Sequence, residues 1–452
     1  MQIFESTKHF LKNDPTPIER IVTPFQRFGS EQAAGGIILF LSALIAILWA
    51  NFISFDSYDH FWHTKFTIGI GDYSISDSFH FWINDGLMAI FFFLVGLEIK
   101  RSIVLGELSS VKKAAFPVFA AAGGMLVPAG IFIALNLNTD TFVGWGIPVA
   151  TDIAFALGVL SVLGKRVPVS LKIFLTALAI ADDIGAVLII AIFYSNDLML
   201  INLFISFLLI ASVVIANSLG LRNPLIYTIV GCLMWIFFLK SGIHATIAGI
   251  TLAMVIPLKV KINPNQFFIR VSELLHHFKN ENNFHQSRGS LGLTTEKQSA
   301  TLEELVKNTK EVESPLQRME NNLHHFVTFI VLPLFAISNS GVIIDSNISS
   351  IFNNSLAIGI ILGLFVGKPV GIFLFSYLAC KIGIASIPND LKWRHVLGVG
   401  FLGGVGFTMA IFVNGLAFDS QSFIDTAKIA IFIASIFSAI FGYMIIRLIK
   451  TE

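Results

Sequence analysis

Two aspartates stand side by side in "ALAIADDIGAVLIIAIFY" (177–194), and no other charged residue lies between Ile173 and Tyr194. An ionised Asp near the centre of a membrane helix costs about 2.5–3.5 kcal/mol on insertion scales, and here two occur in succession. Neighbouring carboxylates repel, so Asp182 and Asp183 resist carrying two charges at once in a weakly polar setting. Such a pair can hold a small hard cation through its oxygens, or protons, and it takes one at the expense of the other. Competition of that kind couples cation and proton movement if the pair faces each side of a membrane in turn.

Few other ionisable residues interrupt apolar runs: Asp85, Asp152, His244 and Lys368. At about 1.5 Å per helical residue, Asp182, Asp183 and Asp152 lie roughly 15 Å, and Lys368 roughly 18 Å, from their helix ends. Three helices thus bring charge to nearly the same level of a ~30 Å hydrocarbon core. Lys368 fits either a counter-ion that balances the site when a cation leaves or a second proton carrier. Asp85, near the outer end of its helix, reads equally well as a helix–helix hydrogen-bonding residue, and His244 in "KSGIHATIAG" as a packed one. His276–His277 and His324–His325 lack the i, i+4 spacing that would set two metal ligands on one helix face.

The elements that must position these residues are membrane helices. Of 452 residues, 55% are hydrophobic, 13% charged and 44 are Phe, too little polar surface for a soluble chain of this length. About twelve spans are expected, near 33–52, 79–99, 114–135, 142–163, 173–194, 199–219, 223–239, 241–258, 326–344, 356–380, 395–418 and 429–446. With both termini cytoplasmic, Lys and Arg concentrate on the inner side and the outer side keeps only Lys65, Lys240 and Lys428. The resulting organisation is a cytoplasmic N-terminal segment (1–32), eight helices (33–258), a cytoplasmic loop (259–325), four helices (326–446) and a cytoplasmic tail (447–452). Residues 1–30 are polar and do not read as a secretory signal peptide. A net charge of +1 implies no nucleic acid or other strongly charged partner. Cys232 and Cys380 sit in apolar runs and pack rather than pair.

Two loops stand out. "KFTIGIGDYSIS" (65–76) alternates around Gly71-Asp72 and reads as a small external β-hairpin. The polar 259–325 segment has a flexible middle and an amphipathic helix around 301–312, with too few apolar residues for a catalytic domain. In the fourth span, "GWGIPVATDIAFALGVL" sets Gly146 and Pro148 just before Thr151 and Asp152. In the eleventh, "GVGFLGGVGFTMAIF" sets Gly403, Gly404 and Gly406 at similar depth. Helices loosened at corresponding positions point to a transporter site, where freed carbonyls can face a cation and helix-end charges need partners such as Asp152 and Lys368.

The stretches "WINDGLMAIFFFLVGLEIKR" (82–101), "GWGIPVATDIAFALGVL" (144–160), "LKIFLTALAIADDIGAV" (171–187), "LKSGIHATIAG" (239–249), "GKPVGIF" (367–373) and "GVGFTMAIF" (404–412) closely resemble the NhaA family of sodium/proton antiporters, in order and over nearly the whole chain. The resemblance implies an all-α polytopic membrane protein with inverted-topology repeats and two discontinuous helices crossing at mid-membrane. It implies Asp182 and Asp183 as the ion- and proton-binding pair that takes Na+, with Asp183 the most direct ligand and Asp182 the partner of Lys368. Thr151 and Asp152 would sit at the unwound crossing. It further implies electrogenic export of sodium or lithium against incoming protons, no resident cofactor, no enzymatic activity, a bacterial inner-membrane location, and a homodimer joined through the external hairpin near 65–76.

Glu98, Arg318, Glu320 and His324 match the family's pH-responsive cytoplasmic entrance, but Asn321 stands where a histidine is expected, and the preceding loop is longer than the family norm. Glu98 could instead pair with Lys100 or Arg101 at its own helix end. "YD" (58–59) and "GIGD" (69–72) imitate intramembrane aspartyl-protease signatures, yet both fall in one short external loop rather than on two facing helices. The rival readings are a sodium-coupled symporter of an organic anion, for which Lys368 alone is thin support, and a potassium/proton exchanger. Choice among sodium, lithium and potassium rests on cavity size and ligand number.

Overall fold

A computed structural model describes residues 32–70, 73–195, 198–220, 223–260, 262–283, 296–344 and 348–449. The expected Gly71-Asp72 turn, the N-terminal segment through 31, Arg222, the middle of the 259–325 segment at 284–295 and Lys450 lie outside the described residues. The protein is an all-α polytopic membrane protein. Among the described residues, seven helices are long and apolar enough to cross a bilayer, and two more spans are each broken into a bent pair.

The sequence explains most boundaries. Asn223 caps the helix Pro224–Leu239 through Leu225 N–H, and Asn354 caps Ser355–Leu362 through Leu356 N–H. Gly383, at φ +82°, ends Lys368–Ile382 with the left-handed residue that glycine supplies without strain. The span expected at 241–258 is a short helix, Thr246–Val255, because Lys240–Ala245 is spent on a turn and Pro257 follows. The span expected from 326 starts earlier: Ser314 and Gln317 form a capping box, and the helix runs on from Pro315 to Asn339.

The 259–325 segment holds Glu296–Val312, wider than the helix expected there, and an unforeseen helix, Pro264–Asn283. Phe267, Val271, Leu274 and Phe278 are the less exposed apolar residues of the latter, at helical spacing. At its base Ile262 N–H donates to the Glu311 carbonyl at 3.2 Å, and Leu316 N–H donates to that of Pro257 at 3.4 Å. The only sheet among the described residues is the hairpin, β1 (Lys65–Ile70) antiparallel to β2 (Tyr73–Ser78), with Lys65 opposite Ser78 and Ile70 opposite Tyr73.

The chain divides into two compact units, the described residues within Met1–Tyr58, Phe116–Ala179 and Asn339–Glu452, and those within Asp59–Ala115 and Ile180–Ser338. The helix Val169–Phe193 contributes to both. In the second unit Phe93, Leu97, Tyr227, Met234, Phe238, Leu252 and Leu316 share one buried cluster. A Cβ on Gly249 there would lie 2.3 Å from the Ala89 carbonyl oxygen, so Thr246–Val255 packs with its backbone against Met88–Val104. In the first unit Gly123 and Gly371 do the same reciprocally, each added Cβ falling 2.1 Å from the other's carbonyl oxygen. Without a hydrophobic drive between helices in lipid, such close approach is what holds them together. Gly371→Ala is expected to destabilise the protein by about 1–3 kcal/mol through forced repacking, lowering the melting temperature in detergent. Gly130→Ala on the helix Val111–Leu135, where an added Cβ meets nothing within 4 Å, should leave it unchanged or slightly raised.

Candidate functional site

The first unit contains a crossing of two broken helices. A 3₁₀ helix, Asp140–Val149, gives way at Ala150–Asp152 to the α-helix Ile153–Val162 with a 42° bend. The helix Trp393–Gly403 breaks at Gly404–Gly406 and resumes as Phe407–Ala417 with a 44° bend. Pro148 and the glycines at 403, 404 and 406 flank or occupy these breaks, where the expected loosening falls. The strands of unwound backbone hold each other: Asp152 N–H donates to the Val405 carbonyl at 2.7 Å, and Thr151 Oγ1 donates to that of Gly403 at 2.8 Å.

One carboxylate starts both outgoing helices. Asp152 Oδ1 accepts from Phe155 N–H at 2.9 Å, capping Ile153–Val162. Its Oδ2 accepts from Thr408 N–H at 3.1 Å and from Thr408 Oγ1 at 2.5 Å, at the start of Phe407–Ala417. Each helix N-terminus carries roughly half a positive charge. Two such ends balance one carboxylate, which explains how Asp152 can be only 2% exposed. The opposite arrangement serves the incoming halves, whose C-terminal carbonyls are partly negative. Lys368, 0% exposed, donates from Nζ to Thr151 Oγ1 at 2.7 Å, and through that hydroxyl reaches the Gly403 carbonyl. Thr151, Asp152 and Lys368 are therefore brought together.

Lys368 is aimed by an irregularity in its own helix. Between Ser355–Leu362 and Lys368–Ile382 lies a π-turn, Gly363–Gly367, in which Lys368 N–H donates five residues back to Gly363. A turn of this kind inserts one residue and rotates everything that follows.

Asp182 and Asp183 belong to the second unit and are buried, at 4% and 8% exposed. As neighbours on a helix they point about 100° apart. Paired carboxylates supply the hard oxygen ligands that a sodium-sized cation or protons can use. Asp85 lies in a π-turn, Trp82–Leu87, and its carbonyl accepts from Trp235 Nε1 at 2.9 Å. His244 follows the turn before Thr246–Val255, and its ring bonds to the backbone of Tyr194.

The four residues expected at the cytoplasmic entrance lie on two helices of the second unit. Arg101 Nη2 pairs with Glu320 Oε1 at 3.0 Å, and Glu98 Oε1 lies 4.0 Å from His324 Nδ1. These contacts run between Met88–Val104 and Pro315–Phe326, and the same-helix attraction open to Glu98 is also present, from Arg101. Lys100 instead donates to the carbonyls of Met254 and Ile256 at 2.6 and 2.5 Å, closing the C-terminal end of Thr246–Val255. Arg318 N–H bonds to the Ser314 carbonyl within its own first turn. Thr408, Ser435 and the Arg101–Glu320 pair were not singled out in the sequence. Thr408 alone left a signal, a threonine just past the last glycine of a break, where a helix starts.

Removing the shared cap should cost more than removing either of its donors. Asp152→Ala loses both helix starts, about 0.5–2 kcal/mol each, whereas Thr408→Val loses one hydroxyl bond and keeps the backbone one. Thermal melting in detergent should rank parent above Thr408→Val above Asp152→Ala.

The family model for Na+/H+ antiporter 1 matches residues 26–446. The chain is 44% identical to Na(+)/H(+) antiporter NhaA 1 of Saccharophagus degradans, covering 97% of this chain and 96% of the relative. It is 47% identical to Na(+)/H(+) antiporter NhaA of Wolinella succinogenes (93% and 92% covered) and 44% identical to that of Oleidesulfovibrio alaskensis (96% of each).

Proposed function

The chain belongs to the Na+/H+ antiporter 1 family, and from that premise we propose that it exchanges sodium, or lithium, for protons electrogenically by alternating access at the Asp182–Asp183 pair. The observation that carries this reading is two adjacent buried carboxylates in an otherwise uncharged stretch of membrane helix. Asp183 is the most direct cation ligand and Asp182 its partner. Protonation from outside releases the cation there, and loss of the protons to the cytoplasm readies the pair again. Lys368 carries the compensating positive charge or a second proton, and Thr151 and Asp152 keep the crossing formed while it moves. More protons enter than sodium leaves, so the membrane potential contributes about 2.3 kcal/mol per net charge per 100 mV.

In this reading the protein lies in a bacterial inner membrane with both termini and the 259–325 segment cytoplasmic. Glu98, Arg318, Glu320 and His324 adjust activity to pH from the cytoplasmic face. Two copies join through β1 and β2, whose Phe66 and Ile68 are exposed. Deleting 67–76 should weaken the dimer and spare transport; full crosslinking of the deletion variant would overturn the dimer assignment.

The exchange itself is tested in liposomes with an inside-acid pH gradient and a pH-sensitive dye, adding sodium, lithium or potassium outside at several pH values. Sodium and lithium are expected to collapse the gradient with the parent protein and to have no effect with Asp183→Asn. Near-normal exchange by Asp183→Asn would remove that residue from the site. A response to potassium alone would make the protein a potassium/proton exchanger, and no response to any cation would favour symport.

A further inference from the structure

The final helix, Gln421–Arg447, places Ser435 and Ser438 three residues apart, on one face, against the broken eleventh span. Ser435 Oγ accepts from Phe407 N–H at 3.2 Å and so helps start the outgoing half-helix. Ser438 is 0% exposed, and its hydroxyl has no hydrogen-bond partner among the described residues. Ser376 is likewise a buried helical serine without a side-chain partner among the described residues, while several helical serines turn back to the carbonyl four residues earlier, as Ser206 does to Asn202 and Ser272 to Phe268. Ser438 does not. Its oxygen instead lies 2.8 Å from the point where a Cβ on Gly404 would sit.

A second group without an intrahelical partner borders the same point. The Leu364 carbonyl oxygen lies 2.3 Å from that Cβ position. Its α-helical donor would be Lys368 N–H, which the π-turn gives to Gly363. Its π-helical donor would be residue 369, a proline with no N–H. A buried hydroxyl without a bond and a carbonyl deprived of its donor thus flank one glycine at the break. Buried polar groups in native proteins are nearly always satisfied, and exceptions concentrate where a structure does work.

We propose that Ser438 is a positioning residue for transport, whose hydroxyl donates to the Leu364 carbonyl in the alternate conformation of the crossing and is released from it in the conformation described here. The proposal rests on the antiport reading, because it assigns the second conformation to the transport cycle. Gly404 leaves the two groups room to approach: a Cβ there would meet Leu364 O and Ser438 Oγ at once. The bond stabilises a state the protein must visit, and its absence here keeps the present state from being over-stabilised. Lys368 follows Leu364 by four residues on the same helix, so a shift that makes this bond also moves the turn that aims the lysine.

The test is Ser438→Ala, read by transport and by melting together. Turnover in the liposome assay should fall about three- to tenfold, the equilibrium value of one hydrogen bond, with the half-saturating sodium concentration unchanged. The melting temperature should stay the same or rise, because the variant removes an unsatisfied hydroxyl and no existing bond. A merely structural serine would do the reverse, lowering the melting temperature with turnover per folded protein unchanged, and that result overturns the proposal. Pro369→Ala supplies an N–H five residues after Leu364, the donor that extending the π-turn by one residue would bring to it, and should also slow turnover. The double variant should be no slower than the slower single one; additive losses would show that Ser438 and Leu364 act separately. If the parent protein does not exchange sodium for protons, the antiport reading fails, whereas parental exchange with an unaffected Ser438→Ala variant overturns this inference alone.

Discussion

The first unit depends on one carboxylate satisfying two helix starts. A broken helix inside a membrane leaves backbone N–H and C=O groups that lipid cannot solvate. Asp152 takes the N–H groups of Phe155 and Thr408 at once, and the crossing chains take each other's remaining groups, Asp152 to Val405 and Thr151 to Gly403. Either broken helix alone would expose unsatisfied backbone; together they are self-sufficient. The breaks are therefore a paired feature, and a substitution that straightened one would strand the other. Lys368 brings the opposite sign to the arrangement through Thr151.

Around that crossing the helices are held by close backbone packing as well as by polar bonds such as those of Phe407 to Ser435 and Asn136 to Ser355. Gly123 and Gly371 meet backbone to backbone, and Gly404 admits both Leu364 and Ser438. In the second unit Gly249 lets Thr246–Val255 lie against Met88–Val104, over a cluster that includes Phe93, Tyr227 and Leu252. Close packing at glycines resists separation strongly but opposes sliding only weakly. A transporter needs that combination, since its helices must move past one another without coming apart.

Much of this was legible in the sequence, and the reasons are physical. Charge in an apolar run leaves an unmistakable mark, so Asp182, Asp183, Asp152 and Lys368 could be picked out, and glycine with proline betrayed both breaks. The all-helical architecture followed from the long apolar runs, and the hairpin from its alternation. Other features were hidden because they depend on three-dimensional meeting. Which oxygen of Asp152 caps which helix is decided by where two chains cross, and Thr408 in "GVGFTMAIF" marks a helix start without showing which carboxylate it meets. The π-turn at Gly363–Gly367 adds one residue to its helix, and although two glycines bound it and Pro369 follows, residue type alone does not tell a π-turn from a plain kink. The helix Pro264–Asn283 was concealed by its polarity: its four spaced apolar residues are outnumbered by charged and amide side chains. That Arg101 meets Glu320 and Glu98 comes within 4.0 Å of His324 follows from two helices packing side by side, a fact no local spacing contains.

The bonded base of the 259–325 segment has a bearing on how such proteins change over time. Ile262 meets Glu311, and Pro257 meets Leu316, so the chain leaves the eighth span and enters the ninth at nearly one place. Whatever lies between is an excursion closed off at its neck, and lengthening such a loop adds only about 0.6 kcal/mol of closure entropy per doubling. Two backbone bonds hold the neck together whatever hangs from it. The interval between the two helices of the excursion is thus a natural port: a stretch where sequence can be gained, lost or replaced by a foreign domain while the transporter beneath it keeps its form.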